Sequence, residues 1–140
     1  MNMEKIDKFG EETIREWLEA IANELADDLI GLWTIVSAGR DEFDLHNGDL
    51  REFVFLSVLA VASRGACVLD HANDGTHYRK AVDRYGTRPE DIAKNVTSEW
   101  IEQGEIDPPP YDSLAFALPS FVEGPENRLD WPKPGIVFEG

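Results

Sequence analysis

The sequence predicts an all-α fold, a single bundle of four or five helices around a central apolar helix over about residues 49–66. Three observations carry this. Apolar residues recur at spacings of three and four through the first third of the chain. The run from Phe53 to Ala62 holds one polar residue, Ser57, and seven of the eight prolines fall between Pro108 and Pro134. The first pattern marks an amphipathic helix and the second a helix enclosed by others. The third confines regular helix to the residues before about Gly104, because proline breaks the backbone ladder.

Taken in order, the first helix is expected from near Glu11 to about Ala38. Ile14, Trp17, Leu18, Ile21, Leu25, Leu29, Leu32 and Val36 form its apolar stripe, and Gly31 is the point where it bends or divides. Arg40 to Asp49 reads as a polar loop with an Asn47-Gly48 turn. Asp49 caps the central helix, with Glu52 three residues on. After Gly65 and the Asn73-Asp74-Gly75 turn, Tyr78, Val82 and Tyr85 predict a short third helix closed by Gly86. Thr87-Arg88-Pro89-Glu90 opens a fourth, which continues through Ile92, Val96 and Trp100 to Gly104. Residues 1–104 thus read as a helical domain. Residues 105–140 read as a Pro-rich and aromatic-rich arm of the same folded unit, extended against the helices, because Tyr111, Phe116, Phe121, Trp131 and Phe138 have apolar area to bury.

The chain has 140 residues, 42% of them hydrophobic, and a formal net charge of −15. Residues 1–45 carry 12 acidic and 4 basic side chains, 46–86 carry 5 of each, and 87–140 carry 11 and 4. The neutral middle is the expected core and the acidic flanks its cover. A pI near 4.4 repels phosphate backbones and anionic membrane surfaces, so neither nucleic acid nor membrane is an expected partner. Cys67 is the only cysteine, so no intramolecular disulfide can form. The opening residues, MNMEKIDKFGEE, have no apolar stretch behind a basic start, and the expectation is a soluble cytoplasmic protein.

Few residues suggest chemistry. Asp28 falls on the apolar arc of the first helix. It either stands exposed beside Asp27 at a bend or makes a buried pair with Arg64 of the central helix. Asp70, His71, Asp74 and His77 offer metal-ligand chemistry. On a continuous helix Asp70, Asp74 and His77 share one face, although Gly75 argues against that continuity. Asp41, Asp44 and His46 form a second oxygen-rich group, but the loop lacks the calcium-loop spacing. Cys67, beside Val68 and Leu69, reads as a small buried hydrophobe. No nucleophile elbow or phosphate loop occurs.

The outer face of the first helix carries Glu12, Glu16, Glu19 and Asp27, like charges that cost helix stability without interleaved lysines to relieve them. That excess predicts a non-enzymatic interaction module, of the inhibitor, immunity-type or adaptor kind, which meets a basic partner surface and uses no cofactor. A small metal-binding protein or metal-dependent enzyme using the 70–77 cluster is the alternative. A structural subunit whose arm is donated within a homodimer is the third reading.

Overall fold

The computed structural model describes residues 1–71, 79–110, 113–120 and 136–138. It corrects the all-α expectation: a five-stranded sheet packs with the helices, so the fold is mixed α and β. The order is α1 (Ile14–Glu24), β1 (Ile30–Gly31), α2 (Leu32–Ser37), a π-helical turn (Ala38–Glu42), α3 (Asn47–Ser63), β2 (Cys67–His71), β3 (Arg79–Val82), α4 (Pro89–Glu102), β4 (Ala115–Ala117) and β5 (Ile136–Phe138). The sheet order is β1-β4-β2-β3-β5, antiparallel except for the parallel pair β3 and β5.

Thr13 sets where α1 begins. Its hydroxyl accepts from the Glu16 N–H at 3.2 Å, while Glu16 Oε1 accepts from the Thr13 N–H at 3.0 Å, so two otherwise orphaned donors are satisfied reciprocally. Ile14, Trp17, Ile21 and Ala22 are buried along its inner face. The single helix expected through Ala38 does not form. Turns follow Glu24, and Asp28 Oδ1 accepts from the Leu29 N–H at 2.7 Å, a local bond that competes with helix and lets the chain emerge extended as β1. After α2, the Phe43 N–H donates to the Ala38 carbonyl at 3.0 Å, the five-residue step of a π turn.

The central helix is present, two to three residues earlier than its expected limits. Its first turn is led by His46 rather than capped by the Asp49 side chain. Phe53, Val54, Val58 and Val61 are fully enclosed, and α3 packs most extensively on α4 and then on α1. Its end is a Schellman turn: the Gly65 N–H donates to the Ala62 carbonyl at 2.9 Å and the Ala66 N–H to Val61 at 3.3 Å, with Gly65 at φ +91°. The fourth helix closes in the same way at Gly104, φ +93°. Pro89 stands at its start as expected, but the Thr87 side chain makes no cap.

The third helix is the plainest correction. Arg79–Val82 is a strand that pairs with β2 in the register Val68 with Val82 through His71 with Arg79. Two pieces of the arm, Ala115–Ala117 and Ile136–Phe138, are the strands β4 and β5 rather than irregular chain, and Tyr111, Phe121 and Trp131 lie outside the described residues. Ile30, Phe116, Val68 and Val82 then form one row across four strands, all buried against the helices. The neighbouring row, Ala115, Leu69 and Ala81, is buried on the opposite face. Alternation within each strand sends successive side chains to the two faces.

Candidate functional site

The acidic residues read as one stripe are divided by the fold. Only Glu16 and Glu19 lie on α1, both exposed, and Glu16 is occupied with the cap. Asp27 is exposed in the turns beyond the helix. Glu12 precedes it, half-buried next to the bridge between Ile6 and Thr13. Burial pushes the Glu12 carboxyl above its ordinary range, and the nearby carboxylates of Asp7 and Glu42 push it the same way. The buried pair of Asp28 and Arg64 does not form. Both residues are exposed, Asp28 bonds to its own neighbour's backbone, and Arg64 Nη2 donates to Asn23 Oδ1 at 3.0 Å.

The helical face proposed for metal binding is absent where it is described, because Asp70 and His71 are the last two residues of β2. Asp74 and His77 lie outside the described residues. Among the described residues no group of three or more ligating side chains converges. In the 40–49 segment, Asp44 Oδ1 and His46 Nε2 are 2.9 Å apart, and Ser37 donates to Asp41 at 3.2 Å. Cys67 is half-buried at the start of β2, opposite Ala117.

A different set of residues forms a cleft. Asp70 shares the helix-facing side of β2 with Val68, and β3 leads directly to Arg84 and Tyr85, so the sheet brings those three together at the C-terminal end of α4. Arg84 Nη2 donates to Asp70 Oδ2 and, at 2.9 Å, to the Tyr85 hydroxyl, and the guanidinium stacks 4.7 Å over the Tyr85 ring. The Tyr85 hydroxyl in turn donates to Glu99 Oε2. Tyr85 is only 4% exposed. Burial raises its phenol well above the ordinary range, the hydrogen bond and charge of Glu99 add to the rise, and Arg84 opposes it.

This chain of four polar groups borders a cavity of about 320 Å³. Leu32, Val96, Trp100 and Leu114 supply apolar wall, and Ile106, Pro108 and Pro109 form another side. Two anchors hold that side in place. Trp100 Nε1 donates to the Ile106 carbonyl at 2.8 Å, and the buried Arg79 donates to the carbonyls of Pro110, at 3.1 Å, and Ser113. Ser113 also lines the cavity, and its Oγ is buried with no hydrogen-bond partner among the described residues.

The sequence marks Tyr85 and Trp100 only as apolar positions of the expected third and fourth helices and gives Arg84, Glu99 and Ser113 no role. The available signal was weak: a polar pair, Arg84-Tyr85, directly before a turn glycine, and a Glu next to a Trp near a helix end. No protein-family model, curated protein sequence or solved structure matches the chain. Among the described residues no helix is long and apolar enough to cross a membrane.

Proposed function

We propose that the chain is a non-enzymatic acidic interaction module, an inhibitor, immunity-type or adaptor protein whose surface meets a basic partner protein. The observation that supports this reading is how the arginines are used. Arg15 pairs with Glu4 at 2.8 Å, Arg51 with Glu105 at 2.5 Å, Arg40 with Asp107 and Arg84 with Asp70. Arg64 and Arg79 bond to neutral oxygens. Glu19, Glu24 and Asp27, by contrast, are exposed and take part in no salt bridge among the described residues. With these arginines engaged by carboxylates or neutral oxygens and Glu19, Glu24 and Asp27 left outward, the α1 side of the molecule carries unpaired negative charge, which accelerates encounter with a basic surface and rejects acidic ones.

The test is kinetic. The protein recovers its partner from native extract, and the purified pair is then measured at rising salt and with the triple substitution Glu19→Lys, Glu24→Lys, Asp27→Lys. Glu16 is spared because it closes the helix cap. Association should slow about tenfold or more while dissociation changes less than about threefold, the pattern of steering by exposed charges. An association rate indifferent to both salt and charge reversal refutes the reading.

A further inference from the structure

The cleft beside α4 carries an inference independent of the acidic face. We propose that it binds a small organic ammonium ion with a short apolar body, its charged end at Glu99 and Ser113 and its body against Leu32, Val96 and Leu114. Three features support this. First, the cavity combines apolar walls with a few convergent polar groups, the usual construction of a small-ligand site, at a volume of about 320 Å³. Second, its polar groups are not fully spent. Glu99 accepts from Tyr85 through Oε2, Oε1 has no hydrogen-bond partner among the described residues, and Ser113 Oγ is buried without one. A buried hydroxyl left unpaired is costly unless something else completes it.

Third, the formal charge of the described lining residues is negative. Among the described lining residues the carboxylates of Asp70 and Glu99 outnumber the Arg84 guanidinium, and Arg79, outside that lining, is turned to the Ser113 and Pro110 carbonyls. The C-terminal end of α4 adds to it, with Glu99 and Glu102 and no basic residue in the last turn. Arg84 Nη2 is already engaged by Asp70 and Tyr85, so a carboxylate ligand competes with an existing pair, whereas an ammonium adds to it. A hard divalent ion would want six or more oxygen ligands, which these walls do not offer. Ile106, 50% exposed although it lines the cavity, gives the apolar body a further surface to cover.

Calorimetric titration of the full chain with 2-phenylethylamine, 2-phenylethanol and 3-phenylpropionate tests the assignment. The amine should saturate one site and bind about tenfold tighter than the alcohol, the ratio expected for one charge-assisted hydrogen bond, and the carboxylate should not saturate. Glu99→Gln keeps an acceptor for the Tyr85 hydroxyl and should weaken the amine about tenfold. Ser113→Ala should weaken it about threefold, and Gln103→Glu, at the exposed helix end, should tighten it by a similar factor. Circular dichroism melts of each variant separate lost binding from lost folding, and the Gln103→Glu gain keeps the test decisive if Glu99→Gln does not fold. No saturable amine binding, equal affinity for the alcohol, tighter binding of the carboxylate, or an amine affinity unmoved by all three substitutions overturns the proposal.

Discussion

Trp17 and Trp100 are both buried indoles, yet they stand in interfaces of opposite character. Trp17 faces α3, where its ring lies 4.9 Å from Phe53, which in turn lies 5.7 Å from Phe43. Trp17 and both of these rings belong to the apolar core. Trp100 closes the other interface, where its N–H is bonded to the Ile106 carbonyl and its neighbours are the linked polar groups of Tyr85, Glu99, Arg84 and Asp70. In the first region stability comes from area removed from water. In the second, hydrogen bonds determine where each group sits, and the packing leaves a cavity. The difference teaches where to look for binding: the α1 and α3 contact joins apolar rings, and the α4 side has both room and unspent polar atoms.

The comparison breaks most readily at Phe53, which is 0% exposed. Phe53→Ala should cost about 3–5 kcal/mol, because it empties a site packed by two other rings. Urea melts measure this. If the two regions differ as described, amide exchange near Tyr85 in the variant should follow the global loss and no more.

A smaller effect is expected at Arg79. Arg79→Met keeps length and apolar stem but removes the donors to the Pro110 and Ser113 carbonyls, a loss of about 1–3 kcal/mol. Faster amide exchange at Leu114 and Ala115 than at Ile21 would locate that loss on the α4 and sheet side. Uniform exchange across both regions contradicts the division.

The smallest effect sharpens the comparison through pH. Tyr85→Phe should cost about 1 kcal/mol at neutral pH, the worth of one hydroxyl bond in a network. The Tyr85 phenol is raised in the folded protein, so the folded state disfavours the phenolate. Its contribution is therefore whole below the ordinary phenol pKa of about 10 and is lost as pH rises through the higher folded value. The gap between wild type and Tyr85→Phe should hold to about pH 10 and close above it. Absorbance titration should show one tyrosine ionising later than the others. A gap that stays constant through that range means Tyr85 is not in the environment described.

The same two regions differ in how far they could be read from the sequence. The α3 helix was legible because Phe53 to Ala62 is apolar on every face, a pattern too long and uniform for a strand. The α1 stripe is legible as well, and its start is set by the capping signal Thr13-Ile14-Arg15-Glu16. The strands were not. β1 has two residues and β4 three, too few to display an alternation, and Ala-Phe-Ala has no intrinsic preference that singles it out. Tyr78, Val82 and Tyr85 match helical spacing, and only pairing with Cys67–His71, which one chain segment cannot reveal, makes Arg79–Val82 a strand. The cleft stayed hidden for the same reason. Asp70, Arg84, Tyr85, Glu99 and Ser113 meet only once β2 and β3 have been laid side by side and α4 set across their end.

The position of β4 also orders events during synthesis. Ile30 and Val68 both pair with Phe116, so β1 and β2 have no hydrogen-bonded contact with each other and wait on a strand made much later. A ribosome that has released the chain through β2 has exposed two strands, β1 and β2, whose edges toward β4 are still unpaired. Loop closure over such long separations is slow, and unpaired edges invite pairing between nascent chains. The growing polypeptide is therefore most prone to stick to its neighbours from the emergence of β2 until Ala115–Ala117 leaves the exit tunnel, a window set by translation speed rather than by the stability of the finished molecule.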